Sequence, residues 1–156
     1  MQDNRDIRAE RLIKETRLAN FAKMANMLID LFGLEEAFQK YVDDEKEGEE
    51  IEMQFPILEG SLKFVLTREK ENFEVRVEEV NNPAAIIVIN AKEKKEATDI
   101  VSKIIRSKSN IFGLAKIVPK IITGKIKIKG SISSVLTLCR LMMVGKNDIY
   151  KQKPIK

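Results

Sequence analysis

The chain has 156 residues, 44% of them apolar and 33% charged, with a formal net charge of +4. That is the size of one ordinary domain, with ample material for a packed core. One cysteine and no histidine exclude an internal disulfide, a Cys/His zinc site and any Ser-His-Asp or Cys-His mechanism, while carboxylate or lysine chemistry stays open in principle.

The charge is unevenly spread. Residues 1–34 balance at +1, residues 35–99 at −9 and residues 100–156 at +12. A block of one sign is either a solvated face complementing the acidic middle or an attractor for something anionic: lipid headgroups, a CoA phosphate or nucleic acid. The N-terminus is charged, with no apolar run of a secretory signal, and KQKPIK matches no peroxisomal or retention tail. No run reaches the ~18 uncharged apolar residues needed to span a bilayer. A soluble, cytoplasmic protein is therefore expected.

In chain order, residues 5–31 predict one long amphipathic helix, with Leu18, Phe21, Ala22, Ala25, Leu28, Ile29 and Phe32 on one face. Gly33 is a natural break, and a short helix should follow from Leu34 to Tyr41. The run VDDEKEGEE (42–50) predicts a charged loop turning at Gly48. Ile51, Met53, Phe55 and Ile57 then alternate as in a half-buried strand that ends, or lies at an edge, at Pro56. Glu59-Gly60 predicts a turn, and Leu62, Phe64 and Leu66 a second strand. REKEN reads as a hairpin connection, and Phe73, Val75 and Val77 as a third strand. AAIIVIN (84–90) is a continuous β-branched run, as in a strand covered on both faces. Residues 93–107 return to helical spacing, with Ala97, Ile100, Val101, Ile104 and Ile105 on one face. IFGLAKIVPKIITG is a helical segment broken at Pro119. KIKIK (125–129) predicts the fifth strand. Ser131 suits the N-cap of a last helix, Ile132 to Val144, stopping at Gly145. This order predicts an α+β fold, a five-stranded mostly antiparallel sheet packed by helices.

The segment from Ile122 to Gly145 raises the functional question, because a strand with a lysine face runs straight into an almost uncharged, Met-rich helix. Nucleic acid is disfavoured, since no aromatic side chain shares the face of Lys125, Lys127 and Lys129 to stack a base. Val135, Leu138, Cys139 and Met142 form one helical stripe, with Ile132, Leu136 and Met143 beside it. Such a helix is either ordinary core or has the core on one side and a ligand, a membrane or a partner on the other. Methionines suit adaptable apolar cavities. The carboxylates of Asp43, Asp44, Glu45, Glu49 and Glu50 lie in a charged loop, and there is no phosphate loop or metal-spaced carboxylate set. No enzyme, metal or cofactor is expected.

GKIKIKGSISSVLTLCRLM resembles the C-terminal motif of the sterol carrier protein type-2 family: a Gly-Lys turn, a short apolar/basic strand, a Gly and a closing apolar helix. The upstream order is similar too, with AAIIVINA leading into an amphipathic helix and a proline-containing break. The resemblance spans Leu18 to Gly145 and is strongest from Ala84 to Met143. It implies a five-stranded sheet covered on one face by helices. The organisation expected is a lipid-binding domain (34–150) and a tail (151–156), with a long N-terminal helix (1–33), which departs from the family pattern, packed on the domain. The resemblance also implies non-catalytic lipid binding or transfer in an apolar tunnel, the ligand being a fatty acid, an acyl-CoA or a sterol-like molecule. The matching tunnel-wall positions are Phe112, Leu114, Ile117, Ile121, Ile122, Val135, Leu136, Leu138, Cys139, Met142 and Met143. Alternation adds Phe55, Phe64 and Phe73, and Lys120 and Lys125 stand where a mouth would meet an anionic headgroup. A filled tunnel in a structural or dimer-forming module, and a transient anionic membrane surface as partner, are the other readings. The N-terminal helical stripe is broad enough for a homodimer seam.

Overall fold

A computed structural model describes residues 4–106 and 123–152, excluding the side chains of Phe32 and of residues 101–106 and 143–152. The chain begins with a 29-residue helix, α1 (Asn4–Phe32). Gly33 closes it, its N–H donating to the Ile29 carbonyl at 2.8 Å. A short helix, α2 (Glu35–Tyr41), and a turn through Gly48, whose φ is +85°, lead to the sheet. Strand β1 (Glu50–Phe55) ends where Pro56 starts a 3-10 turn, Pro56–Leu58, because proline has no N–H for the ladder. Strands β2 (Gly60–Val65), β3 (Arg76–Val77) and β4 (Ala85–Ile89) follow, then α3 (Lys94–Arg106), β5 (Ile126–Gly130) and α4 (Ile132–Gln152).

The spatial order is β3-β2-β1-β4-β5. Three of its pairings are antiparallel, and β4 joins β1 in parallel, Met53 standing opposite Ile87. The predicted mostly antiparallel sheet is present. The fourth strand, however, does not extend a run of hairpins: it passes to the far side of β1, where its β-branched run is flanked by two neighbours.

The register divides the sheet cleanly. Ile51, Phe55, Leu62, Phe64, Ala85, Ile87, Ile89 and Ile126 share one face and form a single core with Leu18, Phe21, Ala22, Ala25 and Ile29 of α1. Phe38 of α2, Ala97 and Ile100 of α3, and Val135, Leu138 and Leu141 of α4 join the same cluster. All four helices of the described residues thus cover one side. The other face carries Glu50, Glu52, Gln54, Lys63, Arg76, Lys127 and Lys129. On it Val88 is buried while Ile86 is only half-buried, so the reading of β4 as covered on both faces holds in part.

Two element limits differ from expectation. The third strand has two residues rather than five, with Phe73 and Val75 buried ahead of it and Val77 exposed. Ahead of it, Asn26 of α1 serves as the partner of the outer edge: its amide donates to the Val75 carbonyl at 2.9 Å and accepts the Val75 N–H at 2.7 Å, so both main-chain groups of Val75 are paired. The last helix runs past Gly145 to Gln152. An interior glycine costs a helix about 1 kcal/mol but does not by itself end one, and the next proline is Pro154.

Candidate functional site

The candidate site is the apolar layer between the sheet and α4. Gly130 makes it possible. Its φ is +88°, and a Cβ there would lie 2.6 Å from the Ala84 carbonyl oxygen. The tight turn lets the Ser131 N–H donate to that carbonyl at 2.9 Å, tying the start of α4 to the start of β4. Ser131 then caps the helix as expected, its Oγ accepting the Ser134 N–H at 3.1 Å. The Ser134 hydroxyl is buried and donates to Glu49 Oε1 at 2.6 Å, fixing the first turn of α4 to the residue before β1.

From that anchor the face of α4 follows by helical spacing. Val135, Leu138 and Leu141 are buried in the core, and Cys139 and Met142 pack against its edge, partly buried. Leu136 is half-buried outside that cluster, and Ile132 is 62% exposed. Met53 of β1, Ile128 of β5, Ile57 and Ala91 are likewise partly buried and packed against the core, as are Met24 and Tyr41. Sequence reasoning left Met53 and Ile128 out of the site, although each alternates in phase with a residue it singled out, Met53 with Phe55 and Ile128 with Ile126.

The three expected phenylalanines all belong to the core. Phe55 stacks at a tilt on Phe21 of α1, ring centroids 5.3 Å apart, and Phe73 meets Phe38 of α2 edge-on at 5.5 Å. These contacts hold α1 and α2 to the sheet. Lys125 is exposed and bridges to Glu96 of α3 at 3.2 Å, which holds the Glu96 carboxyl below its ordinary range. Phe112, Leu114, Ile117, Lys120, Ile121 and Ile122 lie outside the described residues. Met143 lies within α4.

Burial pushes the Cys139 thiol up to about 11, so it is neutral at physiological pH and adds only apolar surface. Among the described residues no group of three or more His, Cys, Asp or Glu side chains could hold a metal ion. No described helix is long and apolar enough to cross a membrane.

The mixed five-stranded sheet backed by helices on one side is an SCP2-like α+β fold, here opened by a long N-terminal helix. A solved structure described as the UbiJ-SCP2 ubiquinone synthesis protein is similar over 82% of this chain and 92% of its own, with a TM-score of 0.58 and 13% identity. The stereoselective inverting sec-alkylsulfatase Pisa1 from Pseudomonas sp. gives a TM-score of 0.45 at 12% identity over 71% of this chain and 14% of its own, and carries no argument. No family model and no curated protein matches the sequence.

Proposed function

We propose that the protein binds a lipid, without covalent chemistry, in the apolar layer between the sheet and α4. What supports this reading is an SCP2-like fold in which Met53, Ile128, Cys139 and Met142 pack against the core while only partly buried. Thioether and branched aliphatic side chains that remain partly accessible form an adaptable apolar wall. The driving force is partition. A ~16-carbon chain at about 0.8 kcal/mol per methylene supplies a gross ~12 kcal/mol, reduced substantially by the costs of association and ordering. Phe112, Leu114, Ile117, Ile121, Ile122, Leu136 and Met143 complete the wall in this reading, and Lys120 and Lys125 stand at its mouth. Lys125 brings a charge already shared with Glu96. The structurally similar protein is a ubiquinone synthesis protein, so a prenylated quinone is a ligand to test beside fatty acids and sterols.

Native mass spectrometry of gently purified protein is expected to reveal a co-purified lipid. A fluorescent fatty acid should bind, and Met142→Glu should weaken that binding tenfold or more with the thermal unfolding profile still cooperative. Protein that is persistently ligand-free and takes up none of the three lipid classes would refute the reading.

A further inference from the structure

We propose that α1 is the seam of a homodimer in which two copies of the helix lie antiparallel about a two-fold axis near Asn20. The proposal does not depend on lipid binding, because the surface concerned points away from the sheet.

Seven large apolar side chains are exposed among the described residues, and five of them lie on α1: Ile7, Leu12, Ile13, Met27 and Leu31. Three of the five fall in one line. Ala9, Ile13, Thr16, Asn20, Met27 and Leu31 recur at helical steps of three, four or seven. At 100° per residue this line lies about 190° round the helix from the core stripe of Leu18, Phe21, Ala22, Ala25 and Ile29. A helix with two opposed apolar stripes has a second surface to bury. Ile13 is 46%, Met27 56% and Leu31 63% exposed.

The identity of the occupant follows from the symmetry of the line. An axis through Asn20 sets Ile13 against Met27 and Ala9 against Leu31, small opposite large, with Thr16 against the half-buried Met24. Asn20 meets Asn20, where paired amides satisfy each other and fix the register. Self-complementary contacts of this kind are what a two-fold dimer requires. The charges agree. The last turn of α1 holds Asp30 and no basic residue, against the preference set by the helix dipole. An antiparallel copy brings Arg8 toward Asp30 and opposes the two dipoles, whereas a parallel copy would set Arg8 on Arg8 and Asp30 on Asp30. Glu10, which also approaches Asp30, is neutralised within its own chain by Lys94 at 3.1 Å. The stripe runs about 33 Å at 1.5 Å per residue. A contact of about that length and ~15 Å width on each copy removes on the order of 1,000 Å² in total, the lower bound for a specific interface. A dimer with a dissociation constant on the order of micromolar is therefore expected.

Sedimentation equilibrium of the delipidated full chain should show a monomer–dimer equilibrium. Ile13→Glu and Met27→Glu should each weaken it tenfold or more while leaving the circular-dichroism melt unchanged, since both positions are exposed. In a Cys139→Ala background, Ile13→Cys and Met27→Cys proteins should crosslink with each other on mild oxidation far faster than either does with itself. Self-crosslinking of each alone would overturn the antiparallel register. A chain that stays monomeric at ~100 μM overturns the dimer. If that monomer binds phosphatidylglycerol vesicles and Met27→Glu abolishes the binding, a lipid surface is the occupant instead.

Discussion

Asn26 makes two hydrogen bonds to the main chain of Val75 from a helix, a task usually left to a neighbouring strand. Replacing it with alanine leaves one donor and one acceptor unpaired in a partly buried position. Asn26→Ala is expected to cost about 2 kcal/mol, measured by chemical denaturation. Nothing in the sequence marked this residue, because an asparagine inside an amphipathic helix reads as an ordinary polar position and its partner lies 49 residues away. Cys139 behaves in the opposite way, since its surroundings were legible from the apolar stripe that contains it. Its thiol is raised from 9.0 to about 11 in the folded protein. The neutral form is thus favoured by folding, a contribution fully present below the unfolded value and lost as pH climbs toward the folded one. The stability of wild type relative to Cys139→Ala should fall between pH 9 and 11, and the native thiol should react slowly with aromatic disulfide reagents at pH 8.

Among the elements, α4 depends most on its neighbours for its position. It is placed by one glycine turn and one serine–glutamate bond rather than by its own propensity. Gly130→Ala meets both a positive φ and the Ala84 carbonyl. It should destabilise by about 2–3 kcal/mol and loosen the apolar layer, lowering lipid affinity as well as melting temperature. The helix and strand periods were readable for the longer described elements, because burial on one face imposes period two on strands and 3.6 on helices, whereas the 3-10 turn at Pro56–Leu58 and the shortness of β3 were not. Pairing was not. A continuous β-branched run such as residues 85–89 says that a strand is flanked, but not that it lies parallel to β1. Helix ends were readable only where a real stop exists: Gly33 closes α1 with a bond to Ile29, whereas Gly145 simply continues its helix. Of the candidate site, the burial of Val135 and Leu138 was legible from helical spacing, whereas Met53 and Ile128 resemble any inward-facing strand residues.

For the whole molecule, charge gathers on the helix-free side of the sheet, where the lysines of β5 lie beside β4 and Lys63 bridges to Glu50 at 3.3 Å and Glu78 at 2.9 Å. These contacts hold the carboxyls of Glu78 and, through Lys14, Glu59 below their ordinary 4.5, as Lys125 does for Glu96. Each contributes stability above the ordinary carboxylate value that is lost as pH falls through the lowered one. The pairs are exposed and individually weak. Acid should therefore lower the melting temperature gradually, and a triple Glu59→Gln, Glu78→Gln, Glu96→Gln protein should show a shallower decline below pH 4.5.

The parallel β1–β4 pairing has a consequence for how the chain is made. Synthesis proceeds from the N-terminus, so β1 and β2 can pair about twenty residues before β4 begins. For that interval the strand destined for the middle of the sheet has a free edge, lined with the isoleucine and phenylalanine of the future core. Free apolar edges recruit other chains. A nascent chain arrested before Ala84 should bind general chaperones and aggregate on release. One arrested past Gly130, with both edges of β4 covered, should stay dispersed.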